Sequence, residues 1–125
     1  MADEFSITHR IYVSKGYFSE TRETTFNDDM NIIGEGGGIQ LIGTTAEDLD
    51  FGDVAYEGWL YMENLDTANI IDWGPVEGGT WASGFKIDPG TGVLVKLKPG
   101  TTIRAAARTS ESRLLVKCYD STTGT

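Results

Sequence analysis

A chain of 125 residues is the size of one domain with one core, and its net charge of −9 argues against non-specific nucleic-acid binding, which needs Lys and Arg in excess. A single cysteine, Cys118, excludes an internal disulfide and points to a reducing compartment. No apolar run approaches the ~20 residues that span a bilayer, and the opening Met1-Ala2-Asp3-Glu4 is acidic where a signal peptide is basic and then apolar.

In chain order, the first run from Phe5 to Phe18 alternates Ile7, His9, Ile11 and Val13 against Thr8, Arg10 and Tyr12, which predicts one long strand, bent or broken near Gly16. Residues 19–37 carry no such alternation and read as a loop with room for one short strand. The Gly34-Glu35-Gly36-Gly37-Gly38 segment reads as a hinge or bulge, since no Lys-Ser/Thr and no helix follow it to make a phosphate cradle. Ile39 to Thr45 predicts a strand, and Ala46 to Asp53 a turn-rich approach to Val54 to Asn64. There Tyr56, Leu60 and Met62 alternate with Trp59 and Tyr61, so that both faces carry apolar groups. Asn64 to Ala68 predicts a turn, because Asn and Asp side chains bond their own backbone there. Strands are then expected at 69–73, 81–87, 93–98, 102–107 and 114–119, separated by Gly, Pro and Asp. About eight strands at this spacing predict an all-β chain folded as a single antiparallel β-sandwich, jelly-roll-like. In this division residues 1–20 form an N-terminal strand or arm, 21–120 the body and 121–125 a flexible tail.

The residue inventory offers little chemistry. His9 is the only histidine, has no nucleophile motif near it, and reads as a partly buried strand residue. Cys118 alternates with Leu114 and Val116, as a core thiol does. Zinc lacks ligands; hard oxygen donors for a cation do cluster at Asp48, Asp50 and Asp53 and at Asn64, Asp66 and Asn69, but neither set matches a twelve-residue calcium loop, and solvated Asx-turns explain both. No acid pair stands out among the 19 acids as a glycosidase would require. No cofactor, no metal and no catalytic activity are expected. Trp59, Trp73 and Trp81 read as core, with a sugar-binding groove as the alternative.

Charge is unevenly spread. Residues 1–80 hold 16 acids and 3 bases, whereas residues 81–125 hold 7 bases and 3 acids. In the latter, Val93, Val95 and Leu97 alternate with Lys96 and Lys98, Ile103, Ala105 and Ala107 with Arg104 and Arg108, and Leu114, Val116 and Cys118 with Lys117. If these strands belong to one sheet, its inner face is aliphatic and its outer face is a cationic docking surface. Together with the aromatic side of 54–64, which is either covered or exposed for a partner, this makes Trp59, Tyr61, Lys96, Lys98, Arg104, Arg108 and Lys117 the expected partner-binding residues.

The block "YEGWLYMENLDTANIIDWGPVEGG", followed by "FKI", "VLVKLKPGT" and "RLLVKCYDS", resembles small β-structured virion proteins of tailed bacteriophages. The resemblance covers roughly residues 38–120. It implies a structural part of the particle, first a capsid decoration or cement protein on the capsid exterior, assembled in the host cytoplasm. The implied partners are the major capsid protein or another virion protein and further copies of itself, a trimer being favoured, with no nucleic acid or membrane. The alternative is a neck, tail or fibre module that binds host glycans.

Overall fold

The computed structural model describes residues 5–28, 35–52, 54, 57–98 and 100–120. Among these residues the chain is all-β, with eleven antiparallel strands and no helix, and therefore no helix long and apolar enough to cross a membrane. The count exceeds eight because two elements are two-residue pieces and because one long strand lies where a loop was expected. The expected tail at 121–125 lies outside the described residues.

That long strand is β2 (Phe18–Asp28), which pairs along its whole length with β1 (Phe5–Lys15). The break near Gly16 is a full reversal: Lys15 pairs with Phe18 across the two-residue turn Gly16-Tyr17, and Gly16 takes φ +59°, the first-position glycine of a type II′ hairpin. Alternation is absent from β2 because its residues 18–25 are exposed apart from half-buried Glu20, so neither face is selected for burial there. Thr21, Thr24 and Thr25 supply β-propensity instead, and the Thr8 and Thr25 hydroxyls hydrogen-bond across the pair at 3.0 Å.

The remaining strands form two sheets. The first has the order β3 (Glu35–Ile42), β11 (Ser112–Asp120), β5 (Glu57–Asn64), β9 (Gly92–Lys96). The second runs β4 (Glu47–Asp48), β10 (Ile103–Ala107), β6 (Ile71–Glu77), β7 (Thr80–Trp81), with β8 (Phe85–Ile87) also paired to β6. Their inward side chains make one core. Ile42, Leu60, Met62, Leu114, Val116 and Cys118 come from the first sheet and Ile71, Trp73, Ile87, Ile103, Ala105 and Ala107 from the second. Leu60 and Cys118 lie inward as expected, whereas Val95 is only partly buried at the edge of this core.

The glycines of 36–38 are not a hinge but part of β3. A Cβ at Gly36 would overlap the Phe51 carbonyl, and one at Gly37 (φ +104°) would overlap the Val116 carbonyl, so the chain at 50–52 and β11 can approach β3 only over glycine. This side of the body is closed further by Gln40. Its Nε2 donates to Glu47 Oε1 and the Asp48 carbonyl, both at 3.1 Å, while its Oε1 accepts the Asp50 N–H at 3.0 Å.

The 64–69 cluster is a clasp. Asn64 is fully buried; its Nδ2 donates to the Asn69 and Ile87 carbonyls at 2.8 and 3.0 Å and its Oδ1 accepts the Asp66 N–H. Asn69 Nδ2 donates to Ser112 Oγ at 2.7 Å and to the Ser110 carbonyl, and Asn69 Oδ1 accepts from the Thr109 hydroxyl. Ser112 Oγ in turn donates to Asp66 Oδ2 at 2.9 Å. These oxygens serve local hydrogen bonds, as in the Asx-turn reading. In the other cluster Asp48 pairs with Arg104, Asp50 accepts the Gly52 N–H, and Asp53 lies outside the described residues.

Candidate protein-interaction site

Strand alternation places Trp59, Tyr61 and Glu63 on the outer face of β5, and register brings neighbours to each. Trp59 stands between Lys96 on β9 and Tyr119 on β11, and Tyr61 between Leu94 and Lys117. Four expected contact residues, Trp59, Tyr61, Lys96 and Lys117, therefore share one surface. Trp59 is only 6% exposed although it lies outside the core, with Lys96 Nζ 5.2 Å from its ring centroid in a cation–π contact. Tyr61 lies over Gly92, where a Cβ would come within 2.9 Å of the phenol oxygen. Its hydroxyl donates to Glu63 at 3.0 Å, and that bond, with partial burial and the adjacent negative charge, holds the phenol above its ordinary pKa. On β3 the same face continues with Leu41 and Ile39, 55% and 60% exposed, opposite Arg113 and Leu115.

The other basic residues are elsewhere. β10 belongs to the second sheet, so Arg104 and Arg108 do not join Lys96 and Lys117, and the single cationic face does not form. Alternation separates inward from outward side chains but does not say to which sheet a strand belongs. Arg104 Nε meets Asp48 at 2.9 Å; Arg108 binds Asp72 through both Nε and Nη2, which raises the guanidinium pKa. Lys98 follows β9 and is exposed.

No tryptophan presents an open platform. Trp73 is buried and stacked on Phe85 with ring centroids 4.8 Å apart, and half-buried Trp81 donates its indole N–H to the Arg104 carbonyl at 3.0 Å. Among the described residues no group of three or more His, Cys, Asp or Glu could hold a metal ion. His9, expected to be partly buried, is exposed on β1, where Thr8 to Ile11 line a groove with Tyr61, Gly92, Val93 and Leu94.

The β1–β2 hairpin is a further exposed surface; sequence reasoning identifies its first strand as an N-terminal strand or arm, but not the second strand that pairs with it. Register puts Ile7, Ile11, Val13 and Phe18 on one face with His9, Lys15, Glu20 and Arg22, and puts Tyr12 on the other among Thr, Ser, Arg10 and Glu23. Ile11 and Phe18 are 60% and 56% exposed, and Tyr17 at the turn is fully exposed. The alternation of β1 gave the signal, but nothing in β2 marked its partner. No protein-family model, curated protein or solved structure matches this chain.

Proposed function

We propose that this chain is a structural assembly protein that works by protein–protein contact, a phage virion component of the capsid-decorating kind, and that it carries out no chemistry. In this reading the two sheets around one core are the layers of a jelly-roll-like β-sandwich, and the hairpin is its docking arm. The observation that carries it is the arm. An isolated two-stranded hairpin is marginal in water, and this one holds Ile11, Val13 and Phe18 in solvent along one face. Such a ribbon gains its stability from a protein that covers it. The outer face of the first sheet, with Ile39, Leu41, Tyr61 and the cations Lys96 and Lys117, adds a second surface of suitable character. The glycan-binding alternative calls for exposed tryptophans, and the burial of Trp59 and Trp73 speaks against a groove built on them.

The test is co-sedimentation with assembled capsids of the phage whose genome encodes the chain. The wild-type protein should pellet with the shells, and Ile11→Ser with Val13→Ser should not. Failure of the wild-type protein to bind any assembled virion part would end this reading.

A further inference from the structure

The two sides of the body differ. On one side β3 and β4 are bridged by Gln40. On the other, β9 pairs only with β5 and β8 only with β6 among the described residues, so two sheet edges face each other across an opening. An apolar groove of about 470 Å³ lies there, floored by Trp73, Val93, Val95, Leu97 and Ile103 with Phe85, 56% exposed, beside them. Its rim carries Lys96 and Lys98 on the β9 side and Glu77 at the end of β6. No arm residue lines this groove.

We propose that the groove is the seat for the arm of a second copy of this chain. This deepens the assembly reading above and rests on it for the arm as a contact element. Three features select that occupant. The arm's apolar face matches the groove in character, with Phe18 and Val13 near its tip and Tyr17 at the turn. The charges match in pairs, since Lys15 and Glu20 flank Val13 and Phe18 on the two strands of that face. Glu20 can meet Lys96 and Lys98 while Lys15 meets Glu77. The Glu20–Arg22 pair seen at 2.9 Å is solvent-exposed and therefore readily exchanged.

The third feature is area. Eleven paired residues make a ribbon about 37 Å long and about 10 Å wide, hence roughly 370 Å² on one face. That is about half of the ~800 Å² each partner gives to a stable interface. A second copy supplies the other half, because each copy contributes one arm and one groove.

The experiment measures the mass of the full chain in solution by light scattering, with no capsid present. The wild-type protein should self-associate, whereas an arm variant (Tyr17→Ser with Phe18→Ser) and a groove variant (Phe85→Ser with Lys98→Glu) should each be monomeric with wild-type circular dichroism. All four positions are exposed, but Phe85 also stacks on Trp73, so Val95→Thr is a second groove variant should Phe85→Ser unfold the body. A 1:1 mixture of arm and groove variants should recover association in part, because the arm of one meets the intact groove of the other. A monomeric wild-type protein, an arm variant that associates like wild type, or a mixture that stays monomeric would each overturn the proposal. Capsid co-sedimentation separates the two readings: shell binding by a protein that is monomeric in solution refutes arm exchange alone, and self-association without virion binding refutes the capsid role alone.

Discussion

Asn69 and Ser112, separated by 43 positions in sequence, are joined by a 2.7 Å hydrogen bond from Asn69 Nδ2 to Ser112 Oγ, with both residues at least 95% buried. The bond ties the turn after β5 to the start of β11 and so links the loops at one end of the body. Replacing Asn69 with Ala takes this partner from the buried Ser112 hydroxyl and from the exposed Thr109 and Ser110. The expected loss is about 1–3 kcal/mol in a urea titration, with the slope of the transition unchanged. A cost near zero would mean that water replaces the amide.

Acidification should weaken the same clasp. Asp66 is held below the ordinary Asp pKa by the Ala68 N–H first, then by the Ser112 hydroxyl and further backbone donors. A depressed folded-state pKa means that the unfolded chain takes up the proton first. Its contribution is therefore complete above the ordinary value of about 3.9 and is lost as pH falls through the lower folded value. Thermal unfolding of Asp66→Asn should lack this component below pH 4, and Ser112→Ala should reduce it.

Core positions should separate by depth. Leu60, fully buried, should cost about 2–4 kcal/mol as Leu60→Ala, while Val95→Ala at the margin of the open groove should cost roughly 1 kcal/mol. Equal effects in chemical denaturation would mean that the groove is closed in the folded protein.

Gly74 gives a sharper contrast. A Cβ there would overlap the Ala82 carbonyl, where the chain crosses the outer side of β6, so Gly74→Ala should destabilise by more than about 2 kcal/mol or displace the 80–84 segment. Gly84→Ala meets nothing within 4 Å and serves as the control, with little change in melting temperature expected.

Cys118 should be inert in the native state. It is fully buried on the inner face of β11 between two partner strands. A thiol reagent should modify it at the rate of unfolding, and Cys118→Ser should cost about 1–2 kcal/mol by placing a hydroxyl in an apolar site. Rapid labelling of folded protein would contradict this placement.

Sequence patterns were informative wherever one face of a strand is buried. β5, β9, β10 and β11 show their inward residues by alternation, and Leu60, Met62, Leu114, Val116 and Cys118 are where that pattern puts them. What escaped has non-local causes. β2 shows no buried face over residues 18–25, and Gly36 is required by Phe51, fifteen residues away. Ile39 and Leu41 alternate with Gln40 and Ile42, so polarity alone did not tell which set faces outward. The separation of Arg104 from Lys96 follows from sheet membership, which is a property of the whole topology.

The position of β11 within the first sheet bears on synthesis at the ribosome. It lies between β3 and β5, yet it emerges roughly 50 residues after β5, about 2–10 s later at ordinary elongation rates. The arm, whose pairing is entirely local, can close as soon as its second strand is out. During that interval β3 and β5 have no β11 to pair with, and their open edges are available to any passing chain. A nascent polypeptide of this kind favours folding factors that occupy sheet edges, and slowing translation after residue 64 should raise the fraction lost to aggregation.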